Sequence, residues 1–208
     1  MPSHPNLDTA RKVLIVEGYS DLRFYAELLQ YVGAHEQVFI KHFNGRADLE
    51  TKLETFVTPQ LLQSMDAVGV VVDANGDGPA TAARLTQQLR SLTNQGVACG
   101  AWTHGQPRVG LSIVPSSDGI GEIETLVWRA WSSDVANRNA VECIEAYAVC
   151  MQRIGIKANS REKGRIGALL ALRNDDDPRL GPGAQAGVFD FGRPELVPLI
   201  EFLTGFLG

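Results

Sequence analysis

The sequence predicts an α/β fold in which helices flank a mostly parallel sheet and a helical extension follows at the C-terminus. Residues 13–16 and 68–72 are runs of aliphatic, mostly β-branched residues, typical of strands that are buried on both faces. Helical patterns follow both runs, and this alternation over residues 12–130 is typical of parallel strands joined by right-handed crossovers. The second run is the more hydrophobic, which predicts a central strand.

The predicted elements can be placed in order along the chain. Strands are predicted at residues 12–17, 37–43, 67–72 and 109–114, with an additional strand at 98–102. Helices of the core are predicted to begin after Ser20 as N-cap and end at Gly33, and to cover 47–56 and 79–92. Further helices are predicted at 122–131, 136–154, 161–172 and 194–207.

Three segments follow from this organisation: a flexible leader at 1–11, an α/β core at 12–130 and a helical extension at 131–208 that packs on the core. Within the extension, the acidic run 175–178 and Gly181-Pro182-Gly183 predict a solvated loop. Residues 188–191 read as a short buried or strand-like piece.

Composition limits the class of protein. A chain of 208 residues with 44% hydrophobic content can bury a full core. The start of the chain lacks a signal peptide and no apolar run could span a membrane, so we expect a cytoplasmic protein without membrane partners. The cysteines, Cys99, Cys143 and Cys150, lack zinc-ligand spacing and are predicted to be reduced and mostly buried.

Acidic residues follow both hydrophobic strands where each strand ends. Glu17 follows the first, and Asp73 and Asp77 follow the second. The carboxyl ends of parallel strands meet at one edge of a sheet, which is where ligands bind. Two carboxylates roughly 5 Å apart repel by about 3 kcal/mol at an effective dielectric of about 20, so such a cluster must protonate, separate or bind cations. A divalent metal is the simplest resolution.

These motifs resemble the Toprim domain of topoisomerases, primases and OLD-family nucleases. The resemblance rests on Val16-Glu17-Gly18 at a strand end and on a hydrophobic strand that ends in Asp73-Ala74-Asn75-Gly76-Asp77 about 55 residues later. It covers about residues 12–130. Later features resemble small stand-alone bacterial Toprim-like proteins related to those nucleases, and they include an Ile-Val-Pro loop, Gly121-Glu122-Ile123-Glu124, Lys163 and a final Gly-Val-Phe-Asp-Phe.

The resemblance implies specific roles. Glu17 would be a general acid/base or metal ligand, Asp73 the first acid of the second motif, and Glu124 the later acid for a second metal, with Glu122 as a rival. The usual Asp-x-Asp is altered, because Asn75 stands at the second position and Asp77 returns the charge two residues later. Lys163 would meet phosphate or transition-state charge.

The residues themselves agree in outline with a metal-dependent site. Mg²⁺ or Mn²⁺ takes hard oxygen ligands, and two such ions can drive phosphodiester cleavage. Asp21 lies one helical turn beyond Glu17 and could point into the same cleft, where Gly18 and Arg161 are the other predicted substrate-binding residues. Lys157, Arg161, Lys163 and Arg165 form the densest basic cluster and could hold a nucleic-acid backbone.

Each of these residues also has an ordinary structural interpretation. Glu17 could be a loop acid, Glu124 an acid favoured in the first turn of a helix, and Lys163 part of a solvated face. Residues 73–78 match the start of an EF-hand loop, but the twelfth position is Arg84 and a strand precedes the loop. The G-x-x-x-x-G-K-[ST] motif of P-loop proteins is absent.

Two functions compete on this sequence. The first is a Mg²⁺- or Mn²⁺-dependent nuclease acting on DNA or RNA; the net charge of −5 argues only against a large general nucleic-acid surface. The second is a non-catalytic or weakly active module that binds metal and a nucleotide or a partner protein, for example in a defence system. A homodimer is also left open. Tyr19 is the one tyrosine expected near the site, and it lies too close to the acids for a strand-passing role.

Overall fold

The computed structural model describes residues 5–156, 160–174 and 177–208, which form one five-stranded sheet in the order β2-β1-β3-β5-β4. Neighbouring strands are parallel except for the β4–β5 pair. The α/β class, the mostly parallel sheet and the central place of β3 are therefore confirmed. The strands are β1 Lys12–Val16, β2 Val38–His42, β3 Ala67–Asp73, β4 Ala101–Trp102 and β5 Arg108–Val114.

Helices cover both faces of this sheet. They are α1 Tyr19–Tyr31, α2 Arg46–Phe56, α3 Pro59–Ser64, α4 Gly78–Thr93, α5 Ile123–Ser132, α6 Arg138–Arg153, α7 Arg161–Arg173, α8 Leu180–Gln185 and α9 Val197–Thr204. None of the helices in the described part of the chain combines the length and the apolar character that a bilayer crossing requires.

The two faces of β1 explain how the helices are distributed. Side chains alternate along a strand, so Val13 and Ile15 join the core with α2 and α4, whereas Leu14 and Val16 face α1. The buried apolar residues of α5, α7 and α9 belong to the same hydrophobic cluster as Leu14 and Val16. The C-terminal helices thus pack on the same side of the sheet as α1. The division into leader, core and extension stays a prediction.

The predicted solvated loop at residues 181–183 is wrong, because these residues are buried inside α8. Close packing explains this: a Cβ at Gly181 would lie 2.5 Å from the Cβ of Arg23 and 2.9 Å from the carbonyl oxygen of Ser20, both in α1. The two glycines of the segment permit close helix contact and do not mark a turn. Asp175 and Asp176, and residues 1–4 of the predicted leader, lie outside the described residues.

Several local predictions also need correction. The N-cap of α1 is Gly18 and not Ser20. Residues 188–191 form no strand, although Phe189 is buried as the other alternative predicted. The predicted closing helix is a 3₁₀ turn at Pro194–Leu196 followed by the shorter α9. Cys143 and Cys150 are exposed on α6, a helix in which Ile144 alone is buried.

Candidate functional site

The carboxyl ends of β1 and β3 bring two of the predicted acids together. Glu17 directly follows β1, and its Oε1 accepts a hydrogen bond of 2.8 Å from the backbone N–H of Asp73, the last residue of β3. Glu17 is only 8% exposed. Adjacent parallel strands therefore place both residues at the edge of the sheet where ligands bind in this class of fold.

The first turn of α1 adds a third carboxylate. The Asp21 Oδ2 atom accepts a hydrogen bond of 2.9 Å from the backbone N–H of Gly18, the N-cap of the helix. This capping contact turns Asp21 back towards the end of β1 and towards Glu17. The predicted proximity of Asp21 to Glu17 is thus explained by helix capping.

The start of α5 closes the site from the other side of β3. Asp73 Oδ1 accepts a hydrogen bond of 2.8 Å from the backbone N–H of Ile123, the first residue of α5. The next residue, Glu124, has a buried Oε2 atom without a hydrogen-bond partner among the described residues. An unpaired buried carboxylate oxygen is costly, and such an atom is a common ligand for a cation.

Burial and mutual repulsion perturb these carboxyls. Burial and the charge of Glu17 raise the pKa of Asp21 to about 6. Burial raises the pKa of Glu124 to about 6, although Lys163 acts in the opposite direction. Burial and the charges of Glu17, Asp21 and Glu124 hold the pKa of Asp73 well above its ordinary value. The four acids therefore share one weakly hydrated region, in which negative charge is unfavourable.

Lys163, in the first turn of α7, lies beside this region. Its Nζ atom is 3.0 Å from Glu122 Oε2, and its side chain is 48% exposed. Burial lowers the pKa of Lys163, but Glu124 and Glu122 outweigh this and raise it above its ordinary value. The predicted cation is therefore present and charged next to the acids.

Three other predicted residues have different surroundings. Asn75 is exposed in a left-handed conformation (φ 52°), and its backbone pairs with that of Gly121. Asp77 is exposed and caps α4 by accepting a 2.9 Å hydrogen bond from the backbone N–H of Ala80. Arg161 is exposed and lies 3.5 Å from Glu145 of α6. Their roles towards metal or substrate stay predictions, and Lys157 lies outside the described residues.

Arg46, the first residue of α2, is a member of the site that the sequence did not indicate. Its guanidinium donates two hydrogen bonds to Glu17 Oε1, at 3.0 Å from Nε and 2.8 Å from Nη2, and one to the carbonyl oxygen of Asp73. A fourth hydrogen bond, 3.2 Å long, reaches Thr81 Oγ1 in α4. The available signal was its position, because a helix that follows a parallel strand starts at the ligand-binding edge.

Tyr25, in α1, is a second member of the site that the sequence did not indicate. The residue is 2% exposed, and burial together with the charges of Asp73, Asp21, Glu17 and Glu124 raises its pKa well above the ordinary value. Its phenol group therefore remains protonated beside the acids. Its spacing of four residues from Asp21, one helical turn, could have indicated this.

The donor chemistry of the site fits a hard divalent cation. The carboxylates provide oxygen ligands of the kind that Mg²⁺ and Mn²⁺ prefer, and Glu124 Oε2 is buried without a partner in the described structure. In the arrangement described, however, no three His, Cys, Asp or Glu side chains of residues 5–156, 160–174 and 177–208 are placed to hold one ion. The contacts of Glu17 with Arg46 and with the Asp73 N–H account for part of this, because one oxygen of Glu17 is already engaged.

Comparisons with known proteins identify a family without an assigned activity. A family model described as "Protein of unknown function (DUF3226)" matches residues 11–208. Searches of curated proteins and of solved structures found no match.

Proposed function

This chain belongs to the family of unknown function that matches residues 11–208, and we propose that it catalyses metal-dependent phosphodiester chemistry on nucleic acid as a Toprim-like nuclease related to the OLD family. One observation carries the proposal. Glu17, Asp21, Asp73 and Glu124 are gathered at the carboxyl edge of β1 and β3, where burial and neighbouring carboxylates raise the pKa values of Asp21, Asp73 and Glu124. Such a cluster favours a divalent cation.

The roles of the residues follow from their contacts. Asp73 is fixed through Oδ1 by the N–H of Ile123, which leaves Oδ2 for a metal ion, and Glu124 offers its unpaired Oε2. Glu17 is fixed through Oε1 and can accept a proton or a ligand at Oε2. Lys163 lies where it can stabilise negative charge on phosphate. A bound Mg²⁺ or Mn²⁺ would supply Lewis-acid activation of the phosphodiester and of water.

Binding of an ion requires local side-chain movement. Because the described acids are not arranged around a single point, we expect the Glu124 and Asp21 side chains to change rotamer when the metal binds. The cost is small compared with the relief of repulsion among buried carboxylates.

The experiment is a cleavage assay on supercoiled DNA, single-stranded DNA and structured RNA with Mn²⁺, Mg²⁺ or EDTA. We expect cleavage only with metal, and its loss in Asp73→Ala. Asp118→Ala is a matched control, because Asp118 is an exposed acid in the loop after β5 and is not among the candidate site residues. Cleavage that survives in Asp73→Ala or in EDTA would overturn the proposal.

A second candidate function is a non-catalytic module that binds metal, a nucleotide or a partner protein. The observation that favours it is the ion pair between Glu17 and Arg46. The guanidinium already supplies the positive charge that a metal ion would bring to a catalytic site. Metal binding without turnover of any nucleic-acid substrate would select this function over the nuclease.

A further inference from the structure

Tyr19, the first residue of α1, carries an exposed aromatic ring beside the acidic site. The residue is 52% exposed although it follows the buried Glu17 by only two positions. Two residues span at most about 7 Å of chain, so the backbone of Tyr19 lies close to Glu17 at the carboxyl end of β1. A large aromatic side chain in such a position is costly to hydrate and has no role in the core.

Two neighbours pack against this ring and leave about half of the residue exposed. His42, the last residue of β2, contacts it edge to face with ring centroids 5.6 Å apart and an interplanar angle of 72°. The guanidinium carbon of Arg23, one turn along α1, lies 5.7 Å from the ring centroid. An aromatic ring that is already oriented loses little conformational entropy when a planar ligand stacks on it.

Two arginine side chains lie near the ring. Arg179, the N-cap of α8, lies within electrostatic reach of Tyr19 and has a side chain that is 60% exposed. Arg23 and Arg179 share a single carboxylate, that of Asp177, at 3.9 Å and 2.7 Å. One carboxylate thus serves two guanidinium groups, and arginine side chains suit a phosphate next to a stacked base.

We propose that Tyr19, with Arg23 and Arg179, forms a stacking platform for an unpaired base, and that the substrate class of the acidic site is single-stranded nucleic acid. This inference rests on the proposed function. Bases in a duplex are already stacked on their neighbours, whereas an unpaired base offers a free face to an aromatic ring. A base on Tyr19 would lead its adjoining phosphate towards Glu17 and Asp73.

Tyr31 provides a matched control on the same helix. It is 54% exposed and lies at the other end of α1, about 18 Å away for twelve helical steps. Its ring contacts Phe191 at 5.8 Å, and among the described residues no guanidinium lies over it. It matches Tyr19 in type and exposure, but it lies a whole helix length from Glu17 and Asp21.

The test measures binding without turnover. Labelled single-stranded DNA, single-stranded RNA and duplex DNA of equal length are titrated by fluorescence anisotropy with Mg²⁺, all in an Asp73→Asn background. A 2-aminopurine base in the single strand reports stacking directly. We expect Tyr19→Ala to weaken single-strand binding about tenfold and to abolish the 2-aminopurine quenching, since one base–aromatic stack is worth about 1–3 kcal/mol. Tyr19→Phe should retain both, and Tyr31→Ala should resemble the parent.

The outcomes separate this inference from the proposed function. Equal effects of Tyr19→Ala and Tyr31→Ala, or a duplex affinity as high as that for the single strand, would overturn the platform. If Tyr19→Ala lost more affinity for one of the two single strands, RNA or DNA, that strand would be identified as the ligand. Tyr19-dependent binding by a protein that cleaves nothing would reject the nuclease and leave the platform standing. Cleavage by the wild-type protein together with unchanged binding in Tyr19→Ala would support the nuclease and reject the platform.

Discussion

Arg46 and Glu17 form a buried ion pair that joins α2 to the end of β1. The guanidinium Nη2 lies 2.8 Å from Glu17 Oε1, and the two side chains are 16% and 11% exposed. The same guanidinium also donates to the carbonyl oxygen of Asp73 at the end of β3. One cation thus fixes the ends of both strands that carry the candidate site.

Replacement of Arg46 by Met should destabilise the protein and disorganise the site. Removing one partner of a buried ion pair leaves the other charge uncompensated, which typically costs about 3–5 kcal/mol, and partial exposure here favours the lower end. We expect urea unfolding to show a loss of about 3 kcal/mol. Arg84→Met is the control, because Arg84 also pairs with an acid, Glu50, but its side chain is 53% exposed. A similarly small loss of unfolding free energy in both variants would contradict the structural role of the buried pair.

A divalent ion should stabilise the wild-type protein. Any ligand that binds the folded state alone stabilises it by mass action, by about 2.7 kcal/mol at a hundred times its dissociation constant. We expect Mg²⁺ or Mn²⁺ to raise the Tm in differential scanning fluorimetry by several degrees. The double variant Glu17→Gln/Asp73→Asn should gain little from the same ion. Equal shifts in the two proteins would show that the ion binds somewhere other than the acid cluster.

Without metal, stability should increase as the pH falls from about 7 to about 4.5. Asp21 and Glu124 have pKa values of about 6 in the folded protein, above their ordinary values of 3.8 and 4.5. A carboxyl with a raised pKa binds its proton more tightly when folded, so its contribution is full below the unfolded pKa and is lost as the pH rises through about 6. Thermal unfolding in EDTA across this range is the measurement. The double variant Asp21→Asn/Glu124→Gln should flatten the dependence of stability on pH. An unchanged slope would show that other groups cause this dependence.

The strand ends were predictable because each is marked twice in the sequence, by a hydrophobic run and by the acid that follows it. Glu17 and Asp73 therefore lie where the pattern placed them. Asn75 and Asp77 were grouped with these acids by proximity in sequence, but the left-handed backbone at Asn75 and the cap on α4 give both residues exposed positions. Local conformation, which a linear spacing does not encode, decides which acids of a loop turn inward.

The missed residues depend on packing between distant segments. Arg46 meets Glu17 only because β2 is next to β1 in the sheet, and strand order cannot be read from the residues of one strand. Gly181, Pro182 and Gly183 have the composition of a turn and yet form a buried helix, because α1 accepts them at close range. In both places tertiary contact overrides the local pattern.

Tyr25→Phe should lower the rate of the proposed reaction while the fold is retained. The ring is buried and Phe preserves it, so we expect the Tm to change by no more than about a degree or two. The phenol group is buried within electrostatic reach of the four carboxylates and remains protonated, so it can donate a hydrogen bond to a carboxylate or to a phosphate oxygen. A hydrogen bond to a charged group is worth about 1.5–3 kcal/mol, which corresponds to a decrease of roughly 10- to 100-fold in kcat/KM. Tyr31→Phe, on the exposed end of the same helix, should leave the rate unchanged, and equal rates in all three proteins would remove Tyr25 from the site.

Gly181→Ala should loosen the contact between α8 and α1 and, through it, the position of Asp21. The added Cβ would lie 2.5 Å from the Cβ of Arg23 and 2.9 Å from the carbonyl oxygen of Ser20, so the helices must separate. Overpacking of this kind costs about 1–3 kcal/mol, which urea unfolding can resolve. Gly167→Ala in α7 is the control, because a Cβ there meets nothing within 4 Å and Ala is the better helix former. We expect that control to be neutral or to gain up to about 1 kcal/mol. If Gly181→Ala behaved like Gly167→Ala, α8 would not be held against α1 at this distance, and the placement of Asp21 would have to come from the capping contact with Gly18 alone.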